Sequence, residues 1–131
     1  MDPRLCLRDG DLRVRKEATD SFFETELGDL LSERGITTVV VVGAATDFCV
    51  DATVRAAVSR GLNVDLVSDG HAPAAKGDPD AHITPEQIVA HHNRALSQAI
   101  HPGGRVRLIK AADVFREREQ QGRRPAEKDS K

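Results

Sequence analysis

A chain of 131 residues is long enough for one domain around one core, at the small end for a doubly wound sheet. Its net charge of −2, scattered basic residues and aromatic complement of four Phe without Trp or Tyr offer neither the field nor the stacking platforms that nucleic acid or a membrane surface would need. No apolar run approaches a bilayer span, the opening MDPRLCLRDG lacks a signal peptide's apolar core, and Cys6 and Cys49 follow no metal-ligand spacing, so a cytoplasmic protein with free thiols, no metal and no cofactor is expected.

Residues 1–11 are polar and turn-like. Leu12 and Val14 alternate with Arg13 and Arg15, which predicts a short strand over 12–16 with Lys16 at its end. A polar bend and the Phe22-Phe23 pair lead to a helix opened by Glu24 or Thr25, with Leu27, Leu30 and Leu31 as its apolar stripe and Gly35 as its stop. Four consecutive valines, Val39 to Val42, then read as a strand covered on both faces in a parallel sheet, ended by Gly43. Val50, Val54, Ala57 and Val58 recur at helical spacing up to Gly61, with Thr46 or Asp47 as the expected cap.

NVDLVS over 63–68 predicts another strand, with Asp69-Gly70-His71 at its carboxyl end. Short connections between alternating helices and strands imply parallel strands and right-handed crossovers. Residues 72–83, rich in Pro, Gly, Ala and Asp, read as a long loop. Thr84-Pro85-Glu86-Gln87 is a helix start, and that helix should run to about Ile100 with Ile88, Ala95, Leu96 and Ala99 inward. A last strand over 105–109 and a short helix over 111–116 complete a domain of residues 1–116, leaving 117–131 as an expected disordered, charged tail.

Cys49 falls in the first helical turn after a strand, where open α/β sheets place ligands and chemistry. Helix dipole and free backbone N–H groups favour negative charge there, and the same N–H groups can receive an oxyanion. From the residues alone Cys49 is either such a nucleophile or one more small buried hydrophobe. Lys16 is either an exposed charge or a cation on the same sheet edge that stabilises a developing anion. Phe22, Phe23 and Phe48 either line an acyl pocket or pack in the core. Asp47 reads as a cap and Asp69 as a strand-end turn residue, while Asp11 precedes the lysine strand at the wrong end. His71, His91 and His92 are weighed as catalytic groups and set aside, the His91-His92 pair on a helix reading as a solvated or capped feature.

KEATDSFFETEL, GAATDFCVDATVRAAVSRGLNVDLVSD and ITPEQIVAHHNRAL resemble, in order, three motifs of the isochorismatase-like cysteine hydrolases, in the branch that includes nicotinamidase and streptothricin hydrolase. The resemblance covers roughly residues 10 to 100. It implies a three-layer α/β/α, Rossmann-like parallel sheet. It also implies hydrolysis of a C–N bond in a small amide, with Cys49 as nucleophile and Lys16 as its partner. A cis peptide between Ala44 and Ala45 and an oxyanion hole from the N–H groups of Ala45 and Cys49 are implied as well. Because isochorismatases proper lack this cysteine, the amide-hydrolase branch is the one indicated. A zinc-dependent nicotinamidase finds no support, since its metal ligands would lie outside this sequence.

The resemblance departs at the front. The family's catalytic Asp lies on a first strand in an Asp-x-Gln-like context, and neither it nor the following strand is found here. The N-terminal half of the fold is therefore expected to be missing. In the family's strand order, 3-2-1-4-5-6, the valine strand becomes an edge unless residues 12–16 move across to pair with it. An open apolar edge predicts a homo-oligomer or a completing polypeptide. The expected function is a cysteine hydrolase, impaired without the Asp; the alternative is a non-catalytic remnant or partner-binding subunit.

Overall fold

The computed structural model describes residues 3–74 and 76–122. One parallel sheet contains β1 (Thr38–Ala44), β2 (Asn63–Ala72) and β3 (Val106–Ile109) in the order β1-β2-β3. Helix α1 (Leu27–Glu33) precedes β1, and a π-helical turn (Thr46–Val50) running into α2 (Asp51–Ser59) joins β1 to β2. Helix α3 (Pro85–Gln98) joins β2 to β3, and α4 (Ala111–Gly122) follows. This is the expected α/β architecture. No helix of the described residues is long and apolar enough to cross a membrane.

Strand register decides where the core lies. Val39 pairs with Val64, Val41 with Leu66 and Val64 with Val106, so these alternate residues share one face. Val54, Ala57 and Val58 of α2 and Leu96 of α3 pack on that face, joined by Phe22 and by Leu27 and Leu31 of α1. Each Val, Leu or Phe side chain among them contributes about 1.5–3 kcal/mol when fully withdrawn from water. On the other face Asp65 lies opposite Arg107, whose guanidinium donates to both carboxylate oxygens at 3.0 and 2.8 Å. That bidentate pairing is what allows a carboxylate to be buried in mid-sheet.

Four expectations need correction. Residues 12–16 form no strand, because an alternating pattern still needs a partner ladder and these residues pair with none of the described strands. The valines are not covered on both faces: Val39 to Val41 are half-buried and Val42 is 61% exposed, since β1 pairs with β2 alone and is the sheet's edge. Strand β2 runs on to Ala72, carrying Asp69, Gly70 and His71 within it. Helix α4 continues to Gly122, beyond the end expected at 116, so a tail beginning at 117 is too early; residues 123–131 lie outside the described residues.

The start of α3 matches its sequence signature. Thr84 Oγ1 accepts from the Gln87 N–H, Gln87 Oε1 accepts from the Thr84 N–H, and Pro85 occupies the first turn. Asp69 has a role beyond a strand-end turn. Its Oδ1 accepts the Ala111 N–H at 2.9 Å and so holds the start of α4.

The Ala111 hydrogen bond, helped by the nearby Lys110 charge, holds the Asp69 carboxyl below its ordinary value of 3.8. A depressed folded-state value contributes stability that is fully present above the ordinary value and is lost as pH falls through the depressed one. Urea midpoints of the parent and Asp69→Ala should therefore differ most near neutral pH and converge in acid below 3.8. A gap that stays constant across that range would refute the assignment.

Candidate active site

The site grows from the way the chain leaves β1. Gly43, opposite His71, has φ 130°, a conformation that other residues rarely adopt. The Ala44–Ala45 peptide is cis, as the resemblance implies. Ala45 is extended, and its carbonyl accepts the N–H groups of Phe48 at 3.1 Å and Val50 at 3.0 Å. The bond from Val50 spans five residues, which is what makes the turn π-helical. Neither Thr46 nor Asp47 caps it, contrary to expectation: Ala45 occupies the cap position without a side-chain hydrogen bond. Asp47 Oδ1 is instead buried without a hydrogen-bond partner among the described residues.

Cys49 sits in this turn, partly buried, with its thiol free. Lys16 reaches it without a strand to carry it there. The Lys16 ammonium donates to Cys49 Sγ at 3.2 Å, to the Ala18 carbonyl at 2.8 Å and to the Thr19 carbonyl at 3.5 Å. Its three donors are thus directed by a bend in its own segment and by the sulfur. Thr53 of α2 holds that bend: its Oγ1 accepts the Ser21 N–H at 3.1 Å and lies 2.9 Å from Ser21 Oγ and 3.3 Å from the Thr19 carbonyl. Thr53 follows Cys49 by one helical turn, so one face of the helix presents the thiol and anchors its cation.

A cleft of about 220 Å³ opens here, between Lys16, Ser21 and Thr53 and the β1 residues Val41, Val42 and Ala44, with Cys49 in its wall. Its volume lies below the roughly 300–1,000 Å³ of drug-sized ligand sites, which suits a small molecule. No Asp or Glu is among its lining residues. A larger cavity of about 370 Å³, lined by Arg15, Glu17, Ala18, Phe23 and Glu24, does not include the thiol.

The three phenylalanines separate. Phe22 is a core residue, with the Arg60 guanidinium 4.7 Å from its ring centroid. Phe23 lines the larger cavity, and Phe48 is exposed beside Cys49 without lining the cleft. His92 donates from Nδ1 to the Ile88 carbonyl and contacts His91 edge-on, away from the cleft lining. His71 is different: its ring lies 2.8 Å from Thr46 Oγ1 at the start of the π-turn. Sequence reasoning missed Thr46, Thr53, Ser21 and Asn93 as members of this scaffold. Only Thr53 left a signal, its helical spacing from Cys49. Among the described residues no cluster of three or more His, Cys, Asp or Glu could hold a metal ion.

A thiol and an ammonium in hydrogen-bond contact, at the carboxyl end of a parallel strand and the start of a helix, define an α/β protein with a cysteine-centred site. Residues 1–98 match the model of the isochorismatase domain, and the chain belongs to the isochorismatase family. It is 46% identical over 71 residues to a streptothricin hydrolase of Streptomyces noursei, covering 51% of this chain and 28% of that protein. To a nicotinamidase of Acinetobacter baylyi it is 38% identical over 81 residues, covering 53% and 38%. The crystal structure of an isochorismatase-family hydrolase from Chromobacterium violaceum superimposes with a TM-score of 0.79 at 27% identity, covering 91% of this chain and 60% of that one. The chain thus spans well under half the length of the two relatives named.

Hydrogen bonds to charged groups contribute about 1.5–3 kcal/mol. Replacing Lys16 by Met should therefore slow iodoacetamide labelling of Cys49 near neutral pH by ~10-fold or more, with exposed Cys6 as the unaffected internal reference in intact-mass and peptide-mapping assays. Equal Cys49 labelling in parent and variant would dispose of the thiol–ammonium interaction.

Proposed function

We propose that this chain supplies the nucleophilic half of a cysteine hydrolase that cleaves the C–N bond of a small amide. The observation that carries the reading is the 3.2 Å contact between Lys16 Nζ and Cys49 Sγ in an open cleft. The relatives named for streptothricin and nicotinamide hydrolysis support the bond type. The Cys49 thiolate attacks the amide carbonyl carbon and forms a C–S bond. The oxyanion so formed is received by the N–H groups of Ala45 and Cys49, with the Lys16 cation close by. Collapse of the tetrahedral adduct, with a proton delivered to nitrogen, releases the amine and leaves a thioester on Cys49. Water then cleaves the C–S bond and releases the acid.

The proton transfers need a base that takes the thiol proton and later activates water. The cleft lining holds no carboxylate, and a base that reaches the cleft across the open β1 edge completes the site. One observation on that side supports a partner there: Val42 is largely exposed on the edge strand. The same open edge also favours a second reading, a partner-binding subunit that keeps the fold but not the turnover. A cytoplasmic setting suits a free nucleophilic thiol under either reading.

The two readings part on turnover. Incubated with an activated amide, the chain should gain one acyl group on Cys49, seen by intact mass, while steady release of acid stays slow. A version extended by the family's Asp-bearing strand should turn over faster by orders of magnitude, since general base catalysis contributes roughly 10²–10⁴-fold. Acylation absent from both forms would favour the non-catalytic reading.

A further inference from the structure

From the π-turn to α3 runs a chain of buried and half-buried hydrogen bonds whose residues do not line the cleft. Thr46, the turn's first residue, is fully buried, and its Oγ1 lies 2.8 Å from Nδ1 of His71. His71, 7% exposed, has its Nε2 2.8 Å from Oδ1 of Asn93 on α3, and Asn93 Nδ2 donates to the Ser68 carbonyl at 3.0 Å. The far end of the chain sets its polarity. A carbonyl can only accept, so the Asn93 amide group faces Ser68 and its oxygen faces His71. Nε2 of His71 must then donate; in the tautomer that carries its one proton there, Nδ1 accepts and the Thr46 hydroxyl donates to it.

We propose that His71 is a positioning residue for the Cys49 nucleophile, acting through Thr46. The inference rests on the reading of Cys49 given above. The π-turn has no side-chain cap, so its own N–H groups give it no side-chain anchor. The bond to His71 ties it instead to β2, and through Asn93 to α3. Cys49 follows Thr46 in the same turn and faces Lys16 at 3.2 Å. A displacement of about 1 Å in such a contact is enough to cost ~100-fold in rate. His71 reaches this place because β2 bulges between Leu66 and His71, where an added Cβ on Gly70 would lie 2.7 Å from Val67 Cγ1. His71 itself is not among the residues lining the cleft.

The test uses the full chain, with iodoacetamide as probe and Cys6 as internal reference. Asn at position 71 puts an amide oxygen near the place of Nδ1 and can accept from Thr46; Gln reaches toward Asn93 and leaves Thr46 without an acceptor. Cys49 in the parent should label faster than Cys6. His71→Gln and His71→Leu should slow Cys49 by ~10-fold or more, and His71→Asn should restore it to within about threefold. Thr46→Val should reproduce the loss and add nothing to His71→Leu. Equal rates for Asn and Gln, or rates that follow urea midpoints rather than the residue at 71, would overturn the positioning role. The Asn–Gln contrast holds whether or not the Leu variant folds. A parent Cys49 no faster than Cys6 overturns the nucleophile reading and the positioning role with it. A fast parent with indifferent variants overturns the positioning role alone.

Discussion

Parallel pairing of β1 with β2 runs in register from Thr38 to Val41 and then breaks, with Val41 opposite Leu66 but Gly43 opposite His71. The surplus residues of β2 form a bulge, a device that re-aims side chains beside a site. Gly70 makes the bulge possible, because a Cβ there would press within 2.7 Å of Val67 and 3.1 Å of Val42. Past it His71 meets the start of the π-turn, and within it Asp69 meets the start of α4. One local irregularity therefore registers the Cys49 turn and the last helix against the same strand.

Lys16 follows a different logic. No strand carries it, and hydrogen bonds aim it: the Ala18 and Thr19 carbonyls direct the ammonium, and Thr53 holds the bend that supplies them. The cation is thus referenced to α2, the helix that continues directly from the Cys49 turn. A shift of α2 against the sheet moves thiol and ammonium together and preserves their contact. A lysine fixed to a neighbouring strand would lose that contact under the same shift.

How legible this was depends on the range of the forces involved. The Thr84 cap with Pro85, the valine strand, the helix after Cys49 and the NVDLVS strand were all readable, since caps, turns and apolar periodicity are written within a few residues. The resemblance placed Lys16 beside Cys49 and a cis bond at Ala44–Ala45, and the geometry agrees on both. Residues 12–16 failed because alternation reports a face and says nothing of whether a partner strand is present. The Thr46–His71–Asn93 network was invisible for a related reason. Its members are 25 and 22 residues apart, and each alone looks like an ordinary polar residue.

The two sides of the Cys49 turn differ in how far their polar groups are satisfied. Toward β2 and α3, each link from Thr46 through His71 and Asn93 to the Ser68 carbonyl has a donor and an acceptor. Toward the β1 edge, Val42 is exposed, and elsewhere in the turn Asp47 Oδ1 has no partner among the described residues. A buried carboxylate oxygen without a donor costs more than the roughly 1–3 kcal/mol of a neutral group, so the turn gains by acquiring one. Under the proposed function this asymmetry divides the labour. The thiol, its cation and the scaffold that aims them need only the Lys16 to Ser21 bend with β1, β2, α2 and α3, whereas a base needs only to reach a cleft bordered by the open edge. On that proposal the nucleophile's geometry is set by β2 and α2, and the open β1 edge leaves the cleft accessible to a base.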